Sequence, residues 1–130
     1  MATYLLDTDI IIDALNEKRN RNAALRNLVA AGHTLACCPV NVAEVYAGLR
    51  PKEEQRTTAL LESLKLYPIT FPVAEHAGRL KRRYAVKGKT LSIPDTIVAA
   101  VALHDEIVLI TDNTKDFPME DLDVFSLPEI

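Results

Sequence analysis

Short apolar runs alternate with longer amphipathic segments along the whole chain. Five runs are predicted to be strands, at residues 4–6, 34–38, 67–71, 107–111 and 123–127. Six segments with apolar residues at helical spacing are predicted to be helices, at residues 10–15, 22–31, 40–49, 53–64, 73–86 and 94–103. Pro68 weakens the third strand and suits it to the edge of a sheet. This alternation predicts an α/β fold, in which a parallel sheet carries helices on both faces.

The composition fits one folded domain covering residues 1–130. Of these residues 48% are hydrophobic and 25% are charged, so the chain can bury a sizeable core and is not disordered. The longest apolar stretch, residues 97–103, is far shorter than the roughly 18 residues of a membrane span, and we expect no signal peptide. Cys37 and Cys38 are adjacent, so on a strand they point to opposite faces and are poorly placed to bridge each other. We therefore expect a cytoplasmic protein with two buried, reduced cysteines.

Acidic residues lie where the predicted strands end. Asp7 directly follows the first strand, and the ligands of parallel sheets bind beyond the carboxyl ends of the strands. Asp7 could equally cap a helix. Asp9 and Asp13 lie one helical turn apart, and the helix dipole or exposure to solvent is the simpler explanation for both. Asp7 is thus a candidate site residue whose role depends on what else lies near it.

Two more acids stand in apolar surroundings. Glu44 is the only charged residue between Pro39 and Leu49, and a charge in a largely apolar helix needs a partner, a route to water or a metal ion. Asp95 follows Pro94 at the start of a helix that is apolar on most faces and is therefore predicted to be buried. Each acid also has an ordinary explanation: a half-exposed carboxylate for Glu44, and helix capping for Asp95.

The strand at residues 107–111 ends in a loop that carries Asp112, Asn113 and Asp116. Such loops are ordinary turn chemistry, but several carboxylates at one sheet edge repel one another unless a cation neutralises them. Mg²⁺ and Mn²⁺ prefer carboxylates and water, and they typically serve phosphoryl chemistry. The sequence contains no P-loop, GxGxxG motif or nucleophile elbow, and its three histidines are scattered. Metal-assisted hydrolysis is therefore the chemistry that these residues favour.

A basic stretch runs into the loop that carries Asp95. Residues 79–89 contain six basic side chains and no acid, although the whole chain has 15 Lys and Arg against 18 Asp and Glu. A charge run is usually a solvated helix face. Beside an acidic metal site, such a basic stretch could also bind the phosphate backbone of a polyanion. This arrangement favours contact with nucleic acid.

Four short motifs occur in a fixed order along essentially the whole chain: LLDTD at residues 5–9, VAEVYAG at 42–48, PDTIVA at 94–99 and ITDNTKDF at 110–117. Together they resemble the motifs of PIN domains and, within that superfamily, those of the VapC toxins of prokaryotic type II toxin–antitoxin modules. The resemblance implies a five-stranded parallel sheet with flanking helices and an Mg²⁺- or Mn²⁺-dependent ribonuclease. It also implies a homodimer held inactive by a cognate VapB-like antitoxin that inserts near the active site.

Carried over by motif, the resemblance implies that Asp7, Glu44 and Asp95 are metal-site acids. The last motif of the family places Asn113 and Asp116 at the site and leaves Asp112 in a variable position. Because Asn113 carries no charge, Asp116 is the expected fourth carboxylate.

The working hypothesis is an endoribonuclease whose principal ion is held by Asp7 and Asp95. Glu44 and Asp116 would complete the site or orient the attacking water, and Asp9, where Asn or Ser is common, could add a fifth acid. The expected supporting residues, which would position carboxylates or water, are Thr8, Thr111 and Asn113. The residues expected to bind RNA backbone are Lys81, Arg82, Arg83, Lys87 and Lys89.

Two alternatives remain open. Asp7-Thr8-Asp9 resembles an Asp-x-Asp phosphatase motif, in which Asp7 would be a covalent nucleophile, although that reaction leaves Glu44 without a role. The other alternative is a module that binds metal, RNA or an antitoxin without cleaving RNA.

Overall fold

The computed structural model describes residues 1–127. Five strands form one parallel sheet in the order β3-β2-β1-β4-β5. The strands are β1 Thr3–Leu6, β2 Thr34–Cys37, β3 Lys65–Leu66, β4 Val108–Ile110 and β5 Val124–Phe125. The predicted five-stranded parallel sheet is confirmed, and β1 lies at its centre.

Six α-helices connect the strands: α1 Thr8–Leu15, α2 Arg21–Ala30, α3 Pro39–Gly48, α4 Glu54–Ser63, α5 Phe71–Val86 and α6 Ile93–His104. Two short 3₁₀ helices, Pro51–Glu53 and Thr114–Asp116, lie before α4 and after β4. Each α-helix corresponds to a predicted one, with ends that differ by at most two residues. Within residues 1–127, none of these helices has the length and apolar character that crossing a membrane requires.

The third strand was predicted at the wrong residues. The prediction was 67–71, whereas β3 is Lys65–Leu66 and α5 already begins at Phe71. Two local features explain the difference: the Thr70 hydroxyl accepts a hydrogen bond from the Val73 amide at 3.4 Å and so caps α5, and proline near the start of a helix favours that start. The short β3 does lie at an edge of the sheet, as expected.

Two apolar layers cover the two faces of the sheet, because neighbouring strand residues point to opposite sides. Leu5 packs in the layer that contains α5 and α6, whereas Leu6 packs in the layer that contains residues of α1, α2, α3 and α4. Cys37 and Cys38 separate between the same two layers, and both are free thiols. The expectation of two buried, unbridged cysteines is confirmed.

The pairing of the two central strands positions the candidate site. Leu6 of β1 lies opposite Ile110 of β4, and the Asp7 amide donates to the Ile110 carbonyl at 2.9 Å. Asp7 and Thr111 therefore leave the sheet side by side at its carboxyl edge.

Candidate active site

Asp7 is a buried carboxylate at the centre of the carboxyl edge, with 7% of its surface exposed. It is the N-cap of α1: its Oδ1 accepts from the Thr8 amide at 2.9 Å, and its Oδ2 accepts from the Thr111 hydroxyl at 2.7 Å. Burial raises the pKa of Asp7 to about 6; the charges of Asp9 and Asp95 add to this rise, and the two hydrogen bonds oppose it. A carboxylate held in this way is costly to ionise without a nearby cation.

Glu44 projects from α3 and is connected to Asp7 through the next residue in the chain. Its Oε1 accepts a hydrogen bond from the Thr8 hydroxyl at 2.6 Å. That hydroxyl in turn accepts one from the Asn41 Nδ2 at 3.0 Å. The side chain of Glu44 is exposed to solvent. The charge in this apolar helix therefore has a hydrogen-bond partner and access to water, two of the three explanations that the sequence pattern allowed.

Asp95 lies in the first turn of α6, where the Ser92 hydroxyl caps the helix by accepting from the Asp95 amide at 3.2 Å. Partial burial raises the pKa of the Asp95 carboxyl, and the charges of Asp116, Glu44 and Asp9 raise it further. The fold therefore places Asp95 within electrostatic range of the other three predicted site acids, Asp7, Glu44 and Asp116, and of Asp9.

The loop after β4 separates into two parts with different partners. Thr111 donates to Asp7, and Asn113 donates its Nδ2 to Asp9 Oδ2 at 2.7 Å, so both face the α1 side of the site. Asp112 instead pairs with Arg21 at 2.8 Å and with Arg19 at 3.1 Å. Asp112 is thus a structural partner of two arginines.

The acids suit a hard divalent cation by their chemistry. The candidate donors are all carboxylate oxygens, which Mg²⁺ and Mn²⁺ prefer and which differ from the Cys and His ligands typical of zinc. Within residues 1–127, no group of three or more Asp, Glu, His or Cys side chains is arranged closely enough to hold a metal ion. The pKa values of Asp7 and Asp95 are raised first by burial and to a smaller extent by neighbouring acids, and a bound cation would oppose both effects.

The basic stretch occupies the second half of α5 and the following turn, and its members have different surroundings. Arg82, Arg83 and Lys87 are exposed, and the Lys87 ammonium lies 5.1 Å from the centre of the Tyr84 ring. Lys89 is half-buried. Lys81 donates to the backbone carbonyl of residue 91 at 2.5 Å, so it secures the loop that leads to Asp95.

The three histidines contact residues elsewhere in the fold. His33 Nδ1 accepts from the Ala2 amide at 3.0 Å, and its ring lies edge-on to Tyr4. His76 and His104 face each other between α5 and α6, with ring centres 5.4 Å apart.

Two residues in the surroundings of the site were not predicted. Arg21 has a side chain with no exposed surface, yet it forms an ion pair with Asp112. Asn41 is equally buried and donates to Thr8. Asn41 carried a weak signal, as a polar residue three positions before Glu44 in an apolar helix. Arg21 carried none, because its partner is 91 residues away in the chain.

Known proteins resemble this chain in both sequence and fold. Residues 4–121 match the family model for the PIN domain. The chain is 34% identical over 117 residues to Ribonuclease VapC10 of Mycobacterium tuberculosis, an alignment that covers 88% of this chain and 86% of that protein.

Two solved structures share the fold over nearly the whole chain. A toxin–antitoxin complex from Klebsiella pneumoniae has a TM-score of 0.79 and 32% sequence identity, covering 98% of this chain and 99% of that one. VapBC2 from Rickettsia felis, which was crystallised with a DNA fragment from its promoter, has a TM-score of 0.82 and covers 97% of this chain and 99% of that one. Its identity of 24% makes it a likeness of fold alone.

Proposed function

Because the chain belongs to the PIN-domain family and, within it, to the VapC group, we propose that it is a metal-dependent endoribonuclease and the toxin of a type II toxin–antitoxin module. The observation that carries this proposal is the gathering of four carboxylates at one sheet edge: Asp7, Glu44, Asp95 and Asp116. The relatives named Ribonuclease VapC support the choice of reaction.

Asp7 and Asp95 would hold the principal ion, and Glu44 and Asp116 would complete the set of oxygen ligands. When bound, Mg²⁺ or Mn²⁺ neutralises charge on phosphate oxygens and lowers the pKa of a bound water. The protein keeps the ligands in place for this role: Thr111 and the Thr8 amide fix the two oxygens of Asp7, and the Thr8 hydroxyl holds one oxygen of Glu44.

The exposed basic residues near the start of α6 would hold the RNA. Arg82, Arg83 and Lys87 offer charge to successive phosphates, and the half-buried Lys89 lies closer to the Asp95 loop in the chain. Lys81 would act more through the loop that it secures than by direct contact with RNA. A phosphate backbone gripped along this surface would present one phosphodiester to the carboxylates.

The proposed partners of the chain are a VapB-like antitoxin and a second copy of the chain, in the cytoplasm. An apolar groove of about 1070 Å³ lies among α1, α2 and α4, and its lining includes Leu25, Val29 and Leu60. Its charged lining residues are mostly basic: Arg26, Arg56 and Lys65 against Glu17. We propose that the groove receives an apolar antitoxin segment with acidic flanks, since a solved relative at 32% identity is a toxin–antitoxin complex.

Cleavage of structured RNA tests the nuclease proposal. Purified protein, freed of any bound partner, is incubated with RNA in the presence or absence of Mn²⁺ or Mg²⁺. We expect metal-dependent cleavage that falls roughly a thousandfold in Asp7→Asn, because loss of a charge-stabilising group in an active site has effects of this size. Asp13→Asn is the matched control, since it makes the same chemical change in the same helix outside the site. Equal activity of Asp7→Asn and the wild type would refute the site.

The alternatives predict other outcomes of the same experiment. Binding of Mn²⁺ without cleavage of RNA at either ion would favour a non-cleaving module. Turnover of small phosphate esters and trapping of beryllium fluoride on Asp7 would favour the phosphatase. We favour the nuclease over that reaction because a covalent nucleophile at Asp7 would leave Glu44 without a role.

Antitoxin binding is tested at an exposed apolar residue of the groove. Val29 has 54% of its surface exposed, so Val29→Asp should fold normally. We expect it to weaken capture of the co-expressed antitoxin at least tenfold, because it places a carboxylate against an apolar segment with acidic flanks, while RNA cleavage is retained. Phe71→Asp, at an 80% exposed apolar position outside the groove lining, is the control. Equal antitoxin affinity of the two variants would contradict the assigned surface.

A further inference from the structure

We propose that Asn41 is a positioning residue of the same site, which acts on Glu44 through the hydroxyl of Thr8. The inference rests on the proposed nuclease function, and it adds a residue to which neither the motifs nor the family resemblance gave a role. It starts from an unusual placement: Asn41 is a polar side chain with 0% of its surface exposed, in the first turn of α3.

The orientation of the Asn41 amide is set by the start of its own helix. Its Oδ1 accepts from the Cys38 backbone amide at 2.9 Å, as in a capping box. An amide that was flipped would point its NH₂ group at the N–H of Cys38, donor against donor. The Nδ2 must therefore face the opposite way, where it donates to the Thr8 hydroxyl oxygen at 3.0 Å.

This donation decides where the single hydroxyl proton of Thr8 points. A hydroxyl has one proton to donate, and an amide NH₂ group can only donate, so the bond from Asn41 uses a lone pair of the hydroxyl oxygen. The proton of Thr8 is then left for Glu44 Oε1, 2.6 Å away. A hydroxyl that both accepts and donates in this way is a stronger donor than an isolated one.

The arrangement matters because Glu44 is otherwise poorly restrained. It is an exposed side chain on α3, and a free glutamate samples many rotamers. Thr8 directly follows Asp7, so the chain from Asn41 through Thr8 holds one oxygen of Glu44 beside the central carboxylate of the site. Loss of Asn41 should leave the Thr8 proton free to turn away and Glu44 free to move.

A double-mutant cycle separates positioning from helix capping. Asn41→Leu removes both hydrogen bonds at similar volume, and Thr8→Val removes the hydroxyl at equal shape. We expect each single variant to lower kcat for RNA cleavage roughly ten- to hundredfold with little change in KM, since small misplacements of site groups have effects of this size. We also expect Asn41→Leu to cause no further loss in the Thr8→Val background. A purely structural Asn41 would instead lower activity by the same factor in both backgrounds.

A second variant keeps the test valid if Asn41→Leu folds poorly. Asn41→Asp retains an oxygen for the Cys38 amide but, when ionised, cannot donate to Thr8, so the helix cap survives and the positioning is lost; kcat is therefore compared up to pH 9, where ionisation of a buried carboxyl is favoured. Urea unfolding measures the stability of each variant. Wild-type kcat in a folded Asn41→Asp protein would overturn the inference.

A readout independent of catalysis keeps the two proposals apart. In ¹⁵N-labelled protein without metal, Thr8→Val should shift the Asn41 side-chain NH₂ resonances, and Asn41→Leu should weaken Mn²⁺ binding by roughly tenfold. An inactive wild type that shows both effects would refute the nuclease proposal and retain the positioning role. An active wild type that shows neither effect would support the nuclease proposal and refute the positioning role of Asn41.

Discussion

Two carboxylates at the same edge of the sheet, Asp7 and Asp112, have hydrogen-bond donors of different charge. Asp7 follows β1, and Asp112 lies two residues beyond β4, the strand paired with β1. Both oxygens of Asp112 are bound by arginines, at 2.8 and 3.1 Å. The two oxygens of Asp7 accept hydrogen bonds from neutral donors. The charged groups that affect its pKa are two other acids, Asp9 and Asp95.

The difference separates a carboxylate that is neutralised by arginines from one whose hydrogen-bond donors carry no charge. A buried ion pair is complete within the protein and holds parts of the fold together. A buried carboxylate near other acids lacks a neutralising positive charge, so its ionised form destabilises the fold until a cation binds. Three variants test this contrast, beginning with the ion pair.

Arg21→Met should have the largest effect on stability. It fills similar volume but leaves Asp112 with less compensation, and breaking a buried pair from one side costs about 3–5 kcal/mol. The free energy of unfolding in urea is the measurement. Arg19→Met is the comparison, because the Arg19 side chain is 40% exposed and its loss should cost about 1 kcal/mol or less. Equal costs for the two variants would show that burial does not set the strength of this pair.

Asp7→Asn should raise the stability of the metal-free protein at pH 8. Burial raises the pKa of Asp7 from 3.8 to about 6, so folding favours the protonated form. The stabilising contribution of Asp7 is complete below pH 4 and is lost as the pH rises through about 6. Asparagine removes the charge and keeps one acceptor oxygen for the Thr8 amide, and its NH₂ group can donate to the Thr111 hydroxyl in place of the bond that Asp7 accepts, so the expected gain is about 2–3 kcal/mol.

The measurement for Asp7→Asn is urea unfolding between pH 4 and pH 8 in the presence of a chelator. The gain should shrink as the pH falls. Asp13→Asn, in the same helix, serves as the control. A difference in stability that is constant over this pH range would contradict the assigned charge.

Asn113→Ala should have the smallest effect. It removes the 2.7 Å hydrogen bond to Asp9, which lies at the exposed margin of the site. A single hydrogen bond of this kind contributes about 1 kcal/mol, and thermal or urea unfolding measures it. If Asn113→Ala lowered the free energy of unfolding as much as Arg21→Met does, Asn113 would be a major stabilising residue of the fold, which would contradict this prediction.

Much of the fold was predictable because its signals are local. Leu5 and Leu6 alternate between two apolar layers, and the side-chain period of a strand makes such alternation readable in the sequence. The exception was β3, whose two exposed residues carry no apolar pattern. The start of α5 was missed for a related reason: the capping hydroxyl of Thr70 lay inside a run that reads equally well as a strand.

For the site, the sequence determined which acids stand at strand and helix ends, because strand exits, helix starts and the order of the four motifs are properties of neighbouring residues. It could not determine what each acid contacts. Thr111 and Asp7 are 104 residues apart, and Arg21 and Asp112 are 91 apart. Only the register of β1 against β4, and the packing of α2 against α1, brings these groups within hydrogen-bond distance. A hydrogen bond requires a narrow range of donor–acceptor distances and a nearly linear angle. Residues so far apart in the chain reach that geometry only once the sheet has formed.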